Sequence, residues 1–270
     1  MYILSLLLLL ASFIGCQNFE KIYQNELDFN AVDIESDGLD RYFVITEDAK
    51  ILAIDKSGAK KFEIDPMQLS GDMIEPEDIA YGGGLIYIAD PFARALFITD
   101  RNLRQPVTLD LEYNGNPITP SRLAVSINGK ILVWDSESAR LYLLDNWNDE
   151  NPMLIVLPDD VLSSEILSLH YDRVNRRFVV LENHGIIFFD VFGKMASSIT
   201  FHDSFIIPVG YAFVREYNLV IGQNSSKLRE INGEWQTIPI RADCAVQTLS
   251  GEITLIQENN LQIWKYIEKK

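Results

Sequence analysis

The chain of 270 residues has few of the residues that mark disulfide-stabilised, zinc-binding or nucleic-acid-binding proteins. It contains only two cysteines, Cys16 and Cys244, which excludes a disulfide framework. Its three histidines, His170, His184 and His202, match no compact zinc motif. With 23 basic against 39 acidic side chains, the net charge is −16. This charge repels phosphate backbones and excludes nucleic acid as a main ligand.

Sequence signatures of catalysis are also missing. There is no Gly-x-Ser-x-Gly elbow, and Ser225-Ser226 has no identifiable base nearby. The triple glycine at Gly82–Gly84 is not followed by the Lys and Ser or Thr of a phosphate-binding loop, so we interpret it as a hairpin turn. Asp33–Gly38 approximates the start of a calcium loop, but Val44 stands where the loop has its bidentate Glu. The sequence therefore predicts no catalytic residue, no metal and no cofactor.

A repeat of about 44 residues is the main feature that the sequence does contain. The segments Pro76–Asp100 and Pro120–Asp145 match almost residue for residue. Each reads as a short apolar strand, a glycine turn, a strand rich in β-forming residues, a break at Asp and a third strand, with a fourth strand following. Four antiparallel strands in a unit of this length are typical of one propeller blade.

Weaker copies of this unit extend the pattern over the rest of the chain. They predict further blades from about residue 31, residue 166, residue 209 and residue 244. The last copy is one strand short, which would leave an unpaired sheet edge. We expect residues Phe19 to Gln24 to supply that strand. The fold prediction is therefore an all-β, six-bladed propeller of four-stranded antiparallel blades, closed by the N-terminal strand.

The two central copies carry a family resemblance. They share Pro-x-x-Ile/Leu-Ala, a second strand that ends in Asp90 or Asp135, and a following Arg94 or Arg140. In these features they resemble the NHL-type repeats of six-bladed propellers. The resemblance is specific for these two copies, and it implies the same fold for the whole ring.

The amino terminus resembles the leader of a bacterial lipoprotein. Residues 2 to 15 are almost wholly apolar and end directly before Cys16, where polarity begins. This run of 14 residues is shorter than the about 20 that a membrane-spanning helix needs. The resemblance implies a signal peptide over residues 1–15 and a lipid on Cys16. The repeats and the chain length predict one propeller domain over residues 16–270. Secretion without lipid and an uncleaved anchor remain alternatives. Cys244 starts an apolar strand, which predicts a buried free thiol.

Candidate ligand-binding residues come from the first strand of each blade, because that strand lines the central channel of a propeller. They are Asp33, Asp78, Arg122, His170, Tyr211 and Gln247. Some six-bladed propellers, such as lactonases of the gluconolactonase type, hold a catalytic metal at the channel mouth. Here the set includes an arginine and mixes charges, which suits a polar ligand better than a cation. Two or more carboxylates converging on one point would favour the enzyme.

The sequence favours a binding function over catalysis. We expect a non-catalytic envelope lipoprotein, facing the periplasm or the cell surface, whose propeller face binds a protein, a peptide or a glycan. A metal-dependent lactonase or hydrolase is the alternative. The acidic loop at residues 145–151 carries Trp147, which is either an exposed anchor for a partner or a side chain folded back on its blade.

Overall fold

The computed structural model describes residues 19–39, 41–149, 151–157, 166–201, 207–230, 233–238, 240–248 and 250–267. Residues 1–18, with Cys16, and His202 therefore lie outside the described part. The described elements are almost all strands. They are β1 (Phe19–Glu26), β2 (Ala31–Ser36), β3 (Arg41–Thr46), β4 (Ile51–Asp55), β5 (Lys60–Ile64), α1 (Pro66–Leu69), β6 (Asp78–Gly82), β7 (Leu85–Asp90), β8 (Ala95–Thr99), β9 (Val107–Asp110), β10 (Glu112–Tyr113), β11 (Asn116–Pro117), β12 (Pro120–Val125), β13 (Ile131–Asp135), β14 (Arg140–Leu144), β15 (Met153–Ile155), β16 (Ile166–Asp172), β17 (Arg177–Glu182), β18 (Gly185–Asp190), β19 (Met195–Thr200), β20 (Pro208–Val214), β21 (Tyr217–Gly222), β22 (Ser226–Glu230), β23 (Trp235–Ile238), β24 (Cys244–Gln247), β25 (Ile253–Gln257) and β26 (Asn260–Tyr266).

Six four-stranded antiparallel sheets form the blades of a propeller. Blades 1 to 5 are β2–β5, β6–β9, β12–β15, β16–β19 and β20–β23, and blade 6 combines β24–β26 with β1. The first strands of neighbouring blades contact one another around the ring. The predicted six-bladed, all-β fold is confirmed.

Strand β1 closes the ring at the seam between the two ends of the chain. It pairs antiparallel with β26 from Phe19 opposite Tyr266 to Glu26 opposite Asn260. The Phe19 and Tyr266 rings meet edge to face at 5.4 Å between centroids. The predicted closing strand is confirmed and extends two residues beyond Gln24. Because β1 pairs with the edge of β26, blade 6 has four strands, as the other blades do.

The core lies between the blades. Six clusters of buried apolar side chains each join two neighbouring blades among the described residues. Between blades 1 and 2, for example, Phe43 and Ile51 pack with Ile86 and Phe97. Burying one such side chain stabilises the fold by about 1.5–3 kcal/mol. Apolar packing between blade faces therefore holds the ring together, and the channel wall carries both polar and apolar side chains.

The direction of the strands defines two faces of the ring. In every blade the first strand runs along the channel and the next strands alternate in direction. The turns between first and second strands, including residues 173–176 and 250–252, therefore all lie at one end of the channel. We call this end the mouth face. Since β1 serves as a fourth strand, its first residue, Phe19, also lies at the mouth face.

Irregular pairing near the start of several first strands orients the channel residues. The register between first and second strands shifts between Ala31 and Asp33, and between Pro120 and Arg122. Blades 4 and 5 have equivalent shifts between Ile166 and Ser168 and between Pro208 and Gly210. An extra residue at such a bulge re-aims the side chain that follows it. No helix among the described residues is long and apolar enough to span a bilayer.

Candidate functional site

A cavity of about 240 Å³ occupies the central channel and extends to the mouth face. First strands from all six blades contribute to its wall. The cavity runs along these strands. Asp33 and Asp78 lie near the beginnings of β2 and β6, away from the mouth, whereas Arg173, Val174 and Thr248 follow the mouth-face ends of their strands.

Five of the six predicted channel residues line this cavity. They are Asp33, Asp78, His170, Tyr211 and Gln247. The sixth, Arg122, is engaged outside the cavity lining: its Nε donates to the Leu167 carbonyl at 3.1 Å, and its Nη1 donates to Glu77 Oε2 at 3.0 Å. Arg122 thereby links blade 3 to residues of blade 4 and to the entry of blade 2.

Polar channel side chains tie neighbouring blades together. Asp33 Oδ2 accepts a hydrogen bond from the Ile79 amide of the next blade at 2.8 Å. Asp78 repeats this contact one blade further, accepting from the Leu123 amide. First strands of adjacent blades are not paired by backbone hydrogen bonds, so these carboxylates satisfy amides that face the channel.

Gln247 makes the corresponding tie between blades 6 and 5. Its Oε1 accepts from the Phe213 amide at 3.0 Å, and its Nε2 donates to the Phe213 carbonyl at 2.8 Å. Tyr211 is also committed within the ring. Its hydroxyl donates to Asn218 Oδ1 at 2.8 Å and accepts from Arg177 Nη2 at 3.1 Å. Most predicted channel residues therefore have partners inside the protein.

The two wall carboxylates are close enough to interact electrostatically. Burial raises the pKa of Asp78 well above its ordinary value, and the nearby charge of Asp33 raises it further. The positive charge of Arg122 acts in the opposite direction. The channel therefore favours a proton on Asp78. A buried carboxyl group that retains its proton beside a second carboxyl group is an arrangement that can donate a proton.

His170 is neutral within the wall. Burial lowers its pKa from 6.5 to about 4, and the charge of Asp33 only partly opposes this shift. Its Nε2 shares a hydrogen bond of 2.7 Å with Ser168 Oγ. A neutral imidazole next to a hydroxyl adds polar hydrogen-bonding groups to the cavity without adding charge.

Glu35 and Arg173 form the mouth of the cavity, and sequence reasoning did not select either residue. Arg173 extends from the turn after β16 in blade 4, and Glu35 lies on β2 in blade 1, with 3.9 Å between Arg173 Nη2 and Glu35 Oε1. Burial raises the pKa of Glu35 from 4.5 to about 7, although Arg173 opposes that shift. Glu35 could have been found from its spacing, because residues two apart on a strand share a face with Asp33.

The other candidate residues from the sequence make contacts within the fold. Asp37, from the possible calcium loop, accepts from the Leu39 amide at 2.8 Å and pairs with Arg101, which supports the hairpin interpretation. Trp147 is partly buried and packs against the cluster between blades 2 and 3. This position agrees with the folded-back alternative. Cys244 is buried with a free thiol, as predicted.

No group of three or more His, Cys, Asp or Glu side chains is placed to hold a metal ion within the described ranges. The wall carboxylates instead accept hydrogen bonds from backbone amides. Among the residues described, the arrangement is suited to hydrogen bonding with an organic ligand at the mouth.

Comparison with known proteins identifies the fold and not a family. No protein-family model matches the chain, and no curated protein matches it by sequence. Among solved structures, a streptogramin B lyase is similar over 93% of this chain and 98% of its own, with a TM-score of 0.63 and 13% identity.

Two other solved structures are similar in fold. YCF48 bound to D1 peptide matches 94% of this chain and 98% of its own, with a TM-score of 0.55 and 10% identity. A nidogen/laminin complex matches 77% of this chain and 79% of its own, with a TM-score of 0.59 and 13% identity. At such identities the similarity establishes the propeller architecture.

Proposed function

We propose that this protein is a binding module whose channel mouth takes up a peptide or protein segment, and that a lipid on Cys16 holds it at a bacterial envelope membrane. The observation that carries the binding role is the cavity of about 240 Å³ that reaches the mouth face. Its lining combines carboxyl, imidazole, phenol and guanidinium groups with apolar strand residues. Concave sites with a few placed polar groups are typical of ligand binding.

The rim of the mouth supports a polypeptide ligand. Leu39 and Val174 are 68% and 66% exposed in the turns of blades 1 and 4, on either side of the channel. Exposed apolar side chains around a polar cavity are suited to the side chains of a bound segment. Two solved structures that share this fold are YCF48 bound to D1 peptide and a nidogen/laminin complex, so one is a peptide complex and the other a protein complex.

The position of β1 relates the proposed anchor to the mouth. Phe19 begins β1 at the mouth face, and Cys16 lies three positions before it, with two residues between them. Three extended residues span at most about 10 Å. A lipid on Cys16 would therefore be attached within this distance of the mouth face. A partner at the mouth would then be bound close to the membrane. Metabolic labelling with a fatty acid, lost in Cys16→Ala, tests the anchor separately from binding.

Site-specific photocrosslinking tests the binding role. Benzoylphenylalanine replaces Val174 at the mouth face or, as the control, Phe92, which is 71% exposed in a turn on the opposite face. Both positions are exposed turns, so the two variants differ mainly in the face that they sample. We expect position 174 to crosslink to a defined polypeptide in intact cells, and a synthetic copy of the crosslinked segment to compete. Equal products from both positions, or crosslinks to glycan alone, would contradict the proposal.

Catalysis is the second candidate, and one observation favours it. Asp33 and Asp78 interact in the channel, where burial and the Asp33 charge favour a proton on Asp78, as in a general acid. A streptogramin B lyase also has this fold. A panel of lactones, assayed with and without divalent cations, tests a lactonase or hydrolase. Turnover that disappears in Asp78→Asn would establish the enzyme, whereas no turnover in the wild-type protein would favour binding alone.

A further inference from the structure

Arg173 crosses the mouth of the channel without strong contacts on the other side. It belongs to blade 4, which lies opposite blade 1 in a six-membered ring. Its Nη2 is 3.4 Å from the carbonyl oxygens of Ser36 and Tyr81, and 3.9 Å from Glu35 Oε1. These distances exceed those of ordinary charge-assisted hydrogen bonds. The guanidinium is therefore placed in the cavity but weakly held there.

One nitrogen of this side chain lacks a partner altogether. Among the described residues, Arg173 Nη1 is the buried side-chain atom for which the structure shows no hydrogen bond. A guanidinium carries five N–H donors, and a buried donor of a charged group without an acceptor is costly. The site is therefore short of an acceptor, and this acceptor would have to enter from the mouth.

The carboxyl groups of the channel do not supply this acceptor. Asp33 and Asp78 accept backbone amides of the neighbouring blades. Glu35 is closest to Arg173, but its pKa of about 7 leaves it partly protonated at neutral pH. Its Oε1 also accepts from the Ser36 amide at 2.6 Å. The positive charge of Arg173 is thus only partly neutralised by its nearest carboxyl group.

We propose that the channel mouth binds a carboxylate group, which accepts hydrogen bonds from Arg173 Nη1. The proposal rests on the proposed function and specifies its ligand chemistry. A carboxylate matches the planar fork of a guanidinium better than a hydroxyl or a carbonyl does. The group can be the carboxyl terminus of a chain, an Asp or Glu side chain, or a small free acid, because all three present the same two oxygens.

Short peptides distinguish these sources. The probes are Ac-Ala-Ala with a free carboxyl terminus, its amide Ac-Ala-Ala-NH₂, Ac-Ala-Asp-NH₂, Ac-Ala-Lys-NH₂ and acetate, each titrated into the folded wild-type protein by NMR. We expect carboxylate probes to bind and the neutral amide to bind at least tenfold more weakly. A preference for the free terminus, for the Asp side chain or for acetate identifies the source.

Two matched variants assign the effect to Arg173. Arg173→Gln should weaken binding of the carboxylate probe at least tenfold, whereas Arg176→Gln removes the same charge from the exposed part of the same turn and should leave binding unchanged. Arg173→Lys should restore only part of the affinity, because it keeps the charge without the fork. Near-native unfolding curves of the three variants exclude misfolding as the cause.

Several results would overturn the carboxylate proposal without affecting the proposed binding function. These are equal binding of the free acid and the amide, no binding of any carboxylate probe, or stronger binding of the Lys peptide that improves further in Arg173→Gln. Failure of the proposed function is a different result, because it appears as the absence of face-specific crosslinking at position 174.

Discussion

Arg173 and Arg177 lie four residues apart in blade 4 and are similarly buried, yet their hydrogen bonds and ion pairs differ. Arg177 Nε donates to Asp172 Oδ2 at 3.0 Å, and Nη2 donates to the Tyr211 hydroxyl at 3.1 Å. Its guanidinium also stacks 3.7 Å from the centre of the Phe188 ring. Arg173 has contacts of 3.4 Å or longer and a buried Nη1 with no partner among the described residues.

The difference separates a structural arginine from a candidate ligand-binding one. The first side chain fills the space between blades 4 and 5, where every acceptor that it needs belongs to the ring. The second extends across the channel mouth, where blades 1 and 2 offer it only long contacts: 3.4 Å to two carbonyl oxygens and 5.9 Å to the centre of the Tyr81 ring. The same residue type therefore stabilises the fold in one region and remains available to a ligand in the other.

The largest effect is expected where the arginine is fully engaged. Arg177→Met should reduce the free energy of unfolding by about 4 kcal/mol, because it leaves the buried Asp172 carboxylate without its charged partner. Urea unfolding at neutral pH measures the loss. The double variant Arg177→Met/Asp172→Asn should recover part of the stability. A loss below about 1 kcal/mol would mean that Arg177 is no better integrated than Arg173.

The pH dependence of stability should differ between Glu35 at the mouth and His170 in the channel wall. The folded pKa of Glu35 is raised to about 7, so its contribution to stability is present below its ordinary pKa of 4.5 and is lost as the pH rises through 7. The folded pKa of His170 is lowered to about 4, so its contribution is present above 6.5 and is lost as the pH falls toward 4. Each shift corresponds to about 3 kcal/mol.

Between about pH 4.5 and 6.5, the contributions of Glu35 and His170 to the free energy of unfolding change with pH in opposite directions. Asp78, whose pKa is also raised, acts in the same direction as Glu35. We expect Glu35→Gln to lose stability more steeply than the wild-type protein on acidification, and His170→Asn to lose it less steeply. Chemical unfolding at several pH values measures both. Parallel curves for all three proteins would show that neither group changes its pKa on folding.

The inter-blade tie of Asp78 should contribute less than the Arg177 pair. Asp78→Ala leaves the Leu123 amide without its acceptor and should cost about 2 kcal/mol. Asp78→Asn retains a carbonyl oxygen at this position, and burial already favours the uncharged form of the acid. The Asn variant should therefore lose less than about 1 kcal/mol. Equal losses in both variants would argue for the charge rather than the hydrogen bond.

The smallest effect on stability is expected at Arg173. Arg173→Gln removes a weak ion pair and an unsatisfied donor together, so the free energy of unfolding should change by no more than about 0.5 kcal/mol or increase. Thermal and urea unfolding check this value. A loss of 2 kcal/mol or more would make Arg173 a structural residue like Arg177, and would remove the contrast between the two regions.

Much of the fold and the approximate position of the site could be predicted from the sequence. The repeat between Pro76 and Pro120 predicts the strands of a blade, and the short last copy predicts the need for β1. The structure places Asp33, Asp78, His170, Tyr211 and Gln247, which were selected as first-strand residues, in the lining of the channel cavity. These inferences depend on local strand periodicity and on the closure of the ring, and both are visible in a linear pattern.

The hydrogen-bond partners of each channel residue could not be predicted. Asp33 and Gln247 are occupied by amides of adjacent blades, and Arg122 is held outside the cavity. Bulges near the start of the first strands change the direction of these side chains, and no motif in the sequence marks them. The contact between Arg173 and Ser36 joins residues that are 137 positions apart in the chain, and no local pattern predicts it.

The sequence by itself determined a closed ring of six blades, because alternating apolar residues and turn glycines repeat at blade length and an odd strand must be paired. Only the tertiary structure decided which charged side chains are paired within the ring and which face the channel without a full set of partners. That outcome depends on distances and burial between blades that are far apart in the chain. For this reason Arg177 is hydrogen-bonded within the ring, whereas Arg173 is the candidate contact for a ligand.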